Sequence, residues 1–389
     1  MTGSGAAAAI YLDHAATTPL RDEVREAIAA AETAGFANPS SPHALGRRAR
    51  RLLEEARERI IALLGGRTTG RERDRLVFTS GATEANRLAV CGIAGSGRPA
   101  CRYSPRDHGS VVAAARGLGD HGCDVAAVPL RPSGRIDCGR IEWPLPPGRR
   151  ILCTTLVCGQ TGSVEDLIAV RGAGGGDCHI HVDATQAVAV EPVSFATLGA
   201  HTLAFAPHKF GGPRGIGCLV MRNDVDLTAA TPGPQESGLR GGTEPVSLAV
   251  GCAAALELAV AAREREAGRL RQLRDRLEAG LMAAAVAAGR SAVVIAAEAH
   301  RAAHITTIAF PGVDRQAFVM AADLAGVCCA TGTACASGSS LPSPAVEALG
   351  LPPDLAAAAV RFSLGWTTTA LDIDAAITRL SLSRCLSRD

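Results

Sequence analysis

The stretch AFAPHKFGGPRGIG, Ala204–Gly217, decides the fold. It opens as an apolar strand, stops at His208-Lys209, and turns through Gly211-Gly212-Pro213. Glycines at such a turn let the backbone come close to a ligand. Lys209 stands 26 residues after Asp183, which closes a second apolar run in HIHVDATQ, His179–Gln186. That spacing is about one crossover unit. Both residues are therefore expected at carboxyl ends of strands in one sheet, where open α/β folds place their ligands.

Further short apolar runs lie at Leu76–Phe78, Val125–Leu130, Ile151–Val157 and Ile216–Met221. Helix-like stretches separate several of them. Alternating strands and helices predict an α/β fold with a mostly parallel sheet covered on both faces. Leu20–Ala34 reads as a helix. So does Ala44–Leu64, with Leu45, Ala49, Leu52, Leu53, Ala56, Ile60 and Leu64 on one face. A long Ala/Leu/Arg helical region, Val246–Ala288, connects to a smaller domain that ends with Asp372–Leu386.

The chain has 389 residues, 47% hydrophobic and 20% charged, enough for a large core. Its formal charge is +2 with both signs mixed, so no basic stripe argues for nucleic acid. No run is read as approaching the ~20 apolar residues of a membrane span, and Met1–Ile10 lacks a leader pattern. The 13 cysteines are odd in number and contain no CxxC pair, which predicts reduced thiols and a cytoplasmic setting rather than a disulfide framework or zinc ribbon.

Of 40 basic residues, Lys209 is the only lysine. A high-GC codon bias accounts for the depletion. It leaves the survivor unexplained. An arginine stays protonated at any accessible pH, whereas a lysine amine deprotonates and attacks carbonyls.

Three other stretches carry candidate chemistry. In VFTSGATEAN, Val77–Asn86, a strand runs into a helix start whose amides and Thr83 hydroxyl suit a phosphate; an ordinary capped helix is the alternative. In ATGTACASGSS, Ala330–Ser340, Cys335 sits among small polar residues, in an exposed loop where a thiolate could act as a nucleophile. In VRFSLG, Arg361 is flanked by apolar strand residues and needs either a substrate carboxylate or a structural ion-pair partner.

Taken together these stretches resemble the cysteine desulfurase family, in its iron–sulfur-cluster branch, within the aspartate-aminotransferase-like, fold-type-I pyridoxal enzymes. YLDHAATTP (Tyr11–Pro19), NPSSPHALGRRA (Asn38–Ala49), FTSGATEAN, DHGSV (Asp107–Val111), HVDATQ, HKFGGPRGIG, GLRGGTEP (Gly238–Pro245), GTACASG and VRFSLG match in order and spacing. The 13 residues from Cys335 to Ala348 match the longer catalytic loop of that branch.

The resemblance implies a large domain over 16–256 with a seven-stranded, mostly parallel sheet. It also implies a small α+β domain from 1–15 and 257–389. It implies pyridoxal 5'-phosphate held as a Schiff base on Lys209. Asp183 would pair with the pyridine nitrogen, Gln186 would contact the phenolic oxygen, and His108 would stack on the ring. Thr83, His208 and, from a second subunit of a homodimer, Thr243 would bind the phosphate. Arg361, with Asn38, would hold the carboxylate of L-cysteine. Cys335 would take the sulfur and pass it to an acceptor protein, releasing alanine.

Some positions depart from the family. An asparagine that contacts the phenolic oxygen is replaced, in the register read from sequence, by Leu156, with Gln160 as a possible substitute. A phosphate-binding serine is replaced by Ala206. His14 stands where asparagine is usual and Gly241 where serine is. Two other readings follow: a related lyase such as one acting on selenocysteine, or a weakly active relative that mainly binds partner proteins.

Overall fold

Seven strands form the central sheet of the computed structural model, which describes residues 9–95, 97–144, 148–332, 342–383 and 385. They are β1 (Arg75–Thr79), β2 (Ala100–Tyr103), β3 (Val125–Ala127), β4 (Arg150–Thr155), β5 (Cys178–Asp183), β6 (Thr202–Phe205) and β7 (Gly217–Met221). Their order across the sheet is β1-β7-β6-β5-β4-β2-β3. Only β7 runs against the rest. The mostly parallel α/β sheet expected from the sequence is therefore present.

β2 is the strand that the apolar pattern misses. Its sequence, ACRY, places an arginine in a fully buried strand. Arg102 stays there because its guanidinium donates to the Glu142 carbonyl and to the Asp124 carboxylate. A buried charge with its donors satisfied is tolerated, and it hides the hydrophobic signal.

Helices α1 (Asp22–Ala34), α2 (Ala44–Leu63), α3 (Ala82–Ala94), α4 (Gly109–Asp120) and α5 (Leu167–Gly174) cover the sheet. α3 and α4 pack with Val77, Ile151 and Leu219 on one face. α1 and α2 lie on the other with Leu76, Phe78, Leu203 and Phe205. On α2, Ala49, Leu53, Ala56 and Ile60 are buried as the 3.6-residue spacing predicts. Leu45, in its first turn, is 48% exposed instead.

α6 (Val246–Ala287) is 42 residues long, about 60 Å at 1.5 Å per residue. Contrary to the sequence expectation, it is long and apolar enough to cross a membrane. Half of its most apolar window is buried, with Ala249, Cys252, Ala255 and Leu256 packed in the core beneath α1 and α2. Its second half belongs to another core, through Leu270, Leu273, Leu277 and Leu281. There it meets β8 (Val293–Val294), β9 (Ile305–Ala309), β10 (Ala359–Ser363) and helices α7 (Arg315–Leu324) and α8 (Ala370–Leu382). Ile10 and Leu12 join this second core, and Ile10–Tyr11 pairs with Val327–Cys328.

Candidate active site

The carboxyl edge of the sheet gathers Asp183, Lys209, Thr83 and His108. Asp183 is the last residue of β5 and pairs in register with Ala204 of β6. Lys209 lies just past β6, in the short turn Pro207–Lys209. Thr83 is the second residue of α3, which follows β1, and His108 caps α4, which follows β2. Gly217, at the start of antiparallel β7, reaches the same edge. A Cβ there would lie 2.3 Å from the Gly81 carbonyl carbon, so only glycine lets β7 pass the α3 N-terminus.

The Lys209 amine donates to the carbonyls of Ala15 and Ala16, each at 2.8 Å. Gln186 shares that wall: its Nε2 donates to the Ala15 carbonyl at 2.9 Å, and its Oε1 faces His304 Nε2 at 3.2 Å. His208 Nδ1 lies 3.1 Å from the Thr17 hydroxyl. The segment from Asp13 to Thr18 therefore forms the back of the site. An open crevice lined by Lys209, Gln186, His304, Arg21, Glu266 and Trp366 runs beside it between the two cores.

Asp183 is buried. Its Oδ1 accepts from the Thr185 amide and its Oδ2 from Asn86 Nδ2, both at 2.9 Å. α3 starts at Gly81 with no side-chain cap, which leaves its first amides available to an anion. Thr83 and His108 are exposed beside that edge. A lone amine, a buried carboxylate and an uncapped helix start on one sheet edge fit pyridoxal phosphate, which needs one group for its aldehyde, one for its ring nitrogen and one for its phosphate.

Arg361 already holds a carboxylate. Its Nη2 lies 2.7 Å from Asp13 Oδ1, and its Nη1 donates to the Gly159 carbonyl at 3.0 Å. Its Nε is buried with no partner among the described residues. Asn38 is exposed, and its Oδ1 accepts from the Ser40 amide at 2.8 Å, closing its own turn. Thr243 is exposed in a loop secured by Glu236, which takes the Arg57 guanidinium at 2.8 and 3.1 Å and the Phe78 amide at 2.9 Å. Cys335 lies outside the described residues.

The structure corrects the register around Leu156. That side chain is buried in the large core. The position facing Gln186 is Gly159, where a Cβ would lie 3.6 Å from Gln186 Cγ. The missing side chain is thus at Gly159. Gln160 does not replace it: its Nε2 points to the Thr331 carbonyl at 3.4 Å. Ala206 is buried and presents no donor. Gly241 suits its place because a Cβ there would meet the Pro232 carbonyl oxygen at 2.7 Å.

Sequence reading missed Asn86, Asp13 and His304. Asn86 ends the quoted VFTSGATEAN three residues after Thr83, so its helical spacing was a usable signal. Asp13 and His304 come near the site only through long-range folding.

Burial also sets the charge of the histidines. Desolvation pushes His14, His181 and His208 down to about 4, His304 to about 3 and His179 to about 2. Each folded pKa lies below the ordinary value of 6.5, so the unfolded chain takes up these protons first. Their stabilisation is present above pH 6.5 and is lost as pH falls through about 4. Asp107, pushed up to about 7 by burial, acts oppositely between its ordinary 3.8 and 7, one group against these five and His201, which burial also lowers. The unfolding free energy measured with urea should fall from pH 7.5 to pH 5, by up to about 1.4 kcal/mol per histidine per pH unit. A free energy that held or rose would contradict this account.

The family model described as aminotransferase class-V matches residues 10–376. A curated relative from Mycobacterium tuberculosis, described as an IscS-like cysteine desulfurase, is 34% identical over 384 residues, covering 94% of each chain. A solved NifS-like protein superposes with a TM-score of 0.87 at 25% identity, covering 96% of this chain and 98% of that one. A structure described as SspA in complex with cysteine has a TM-score of 0.75 at 26% identity, over 91% and 98%.

Proposed function

Because this chain belongs to the class-V aminotransferases and is a pyridoxal-phosphate-dependent cysteine desulfurase, we propose that Lys209, Asp183, Arg361 and Cys335 divide its chemistry as follows. Bound, pyridoxal phosphate supplies a ring that accepts the electron pair left when the substrate α-carbon loses its proton. Lys209 would hold the group through Nζ and, with its amine free, would move the substrate α-proton. Asp183 would hold a proton at the ring nitrogen. Gln186 would contact the phenolic oxygen and His108 would cover the ring face. The amides of the α3 start, Thr83 and His208 would bind the phosphate. Arg361, with Asn38, receives the substrate carboxylate, using its unpartnered Nε and displacing Asp13.

The Cys335 thiolate then attacks the substrate sulfur. The carbon–sulfur bond breaks, a sulfur–sulfur bond forms, and L-cysteine plus enzyme thiol becomes L-alanine plus enzyme persulfide. The observation that carries this reading is the sole lysine standing beside a buried aspartate at one sheet edge.

The persulfide is delivered to an acceptor protein of iron–sulfur cluster assembly, with tRNA thiolation and DNA phosphorothioation as the other destinations of such sulfur. The protein acts as a cytoplasmic homodimer in which Thr243 of each subunit completes the other's phosphate site. Exposure of Thr243 and the unpaired state of the described cysteines support this.

The test is alanine and sulfide release from L-cysteine with a reductant present, for the wild type and Arg361→Gln. We expect equal amounts of both products, and a KM raised at least about tenfold in the variant, the loss of a charge-assisted bond. An unchanged KM would remove Arg361 from the substrate site.

A further inference from the structure

Asn86 is fully buried. Its amide hydrogens go to two groups of the active site. Nδ2 donates to Asp183 Oδ2 at 2.9 Å and to Ser110 Oγ at 3.0 Å. Ser110 Oγ in turn lies 2.8 Å from His108 Nδ1, which also accepts the Ser110 amide. One side chain thus links the carboxylate beneath the ring nitrogen to the imidazole expected over the ring.

The amide's orientation is set from behind. With Nδ2 facing a carboxylate, Asn86 Oδ1 faces His181 Nε2 at 3.0 Å, so that nitrogen carries the proton. His181 is fully buried, and desolvation keeps it neutral at working pH. Its Nδ1 is then a bare acceptor, and the Thr202 hydroxyl, 2.9 Å away, donates to it. With its proton given, Thr202 Oγ1 accepts from His179 Nε2 at 3.0 Å. Every donor along this chain points toward Asp183. Reversing any one would set two acceptors or two donors against each other.

From this geometry, and resting on the desulfurase reading, we infer that Asn86 is a positioning residue for both Asp183 and His108, held in its one useful orientation by the donor chain His179–Thr202–His181. The sequence places these residues two apart on β5 and at the start of β6, so the chain runs inside the sheet and away from substrate.

The experiment pairs a spectrum with kinetics. The holoenzyme is labelled with 15N-histidine, and the tautomer of each of its ten histidines is read by NMR. His181 is expected as the Nε2–H form in the wild type; an Nδ1–H form overturns the inference without any variant. Thr202→Val removes the hydroxyl at constant shape. It should mix the His181 tautomers, shift the visible band of the bound cofactor, and lower kcat about tenfold, while KM for L-cysteine changes less than about twofold. Thr202→Ser should restore all three. A Thr202→Val enzyme with wild-type kcat and band position overturns the inference. A wild type that binds no cofactor instead sinks the desulfurase reading.

Discussion

Lys209→Arg is expected to abolish alanine formation from L-cysteine and to leave the fold in place. The charge is kept, and a guanidinium reaches the Ala15 and Ala16 carbonyls that hold the amine now. What is lost is an amine that can shed its proton, because arginine does not deprotonate in proteins. The variant can neither hold the cofactor covalently nor move the α-proton. Turnover should fall at least about a thousandfold, toward the upper range for a general acid–base group. Alanine quantified by amino-acid analysis, beside the visible spectrum and an unfolding curve, checks this. Normal turnover would overturn the assignment.

Cys335→Ser has the second-largest expected effect, and it separates the two halves of the reaction. A serine hydroxyl does not ionise near neutral pH, so it cannot attack the substrate sulfur as a thiolate does. Sulfide release with a reductant should drop at least about a hundredfold, while the cofactor stays bound and coloured. Full sulfide release would mean that another thiol is the acceptor. Among the described cysteines, Cys329 is a poor substitute, since burial pushes it above the ordinary thiol range.

Most of the fold was legible because the sheet is buried on both faces, and apolar runs such as Ile151–Val157 and Ile216–Met221 mark its strands directly. β2 was not, because Arg102 interrupts the pattern and its partners, Asp124 and Glu142, come from distant loops. α6 was read correctly as a helix. Its apolar length is less evident because residues such as Gly251 and Glu257 interrupt the run. The candidate site was legible where one residue type is chemically irreplaceable, as at Lys209.

The supporting residues were not legible in the same way. Gly159 was mistaken for its neighbour Leu156, since a loop without periodicity gives no register. Asp13 and His304 reach Arg361 and Gln186 across hundreds or scores of residues, and no local spacing encodes such contacts. The missing donors at Gly159 and Ala206 predict weaker cofactor retention, each hydrogen bond to a charged group contributing about 1.5–3 kcal/mol.

The central claim is that the one lysine carries the cofactor. Borohydride reduction of the coloured holoenzyme, followed by proteolysis and mass spectrometry, tests it most directly. The account predicts a single pyridoxyl-phosphate adduct, on the peptide that contains Lys209. An adduct elsewhere, or a reduced protein with no adduct at Lys209, would contradict it.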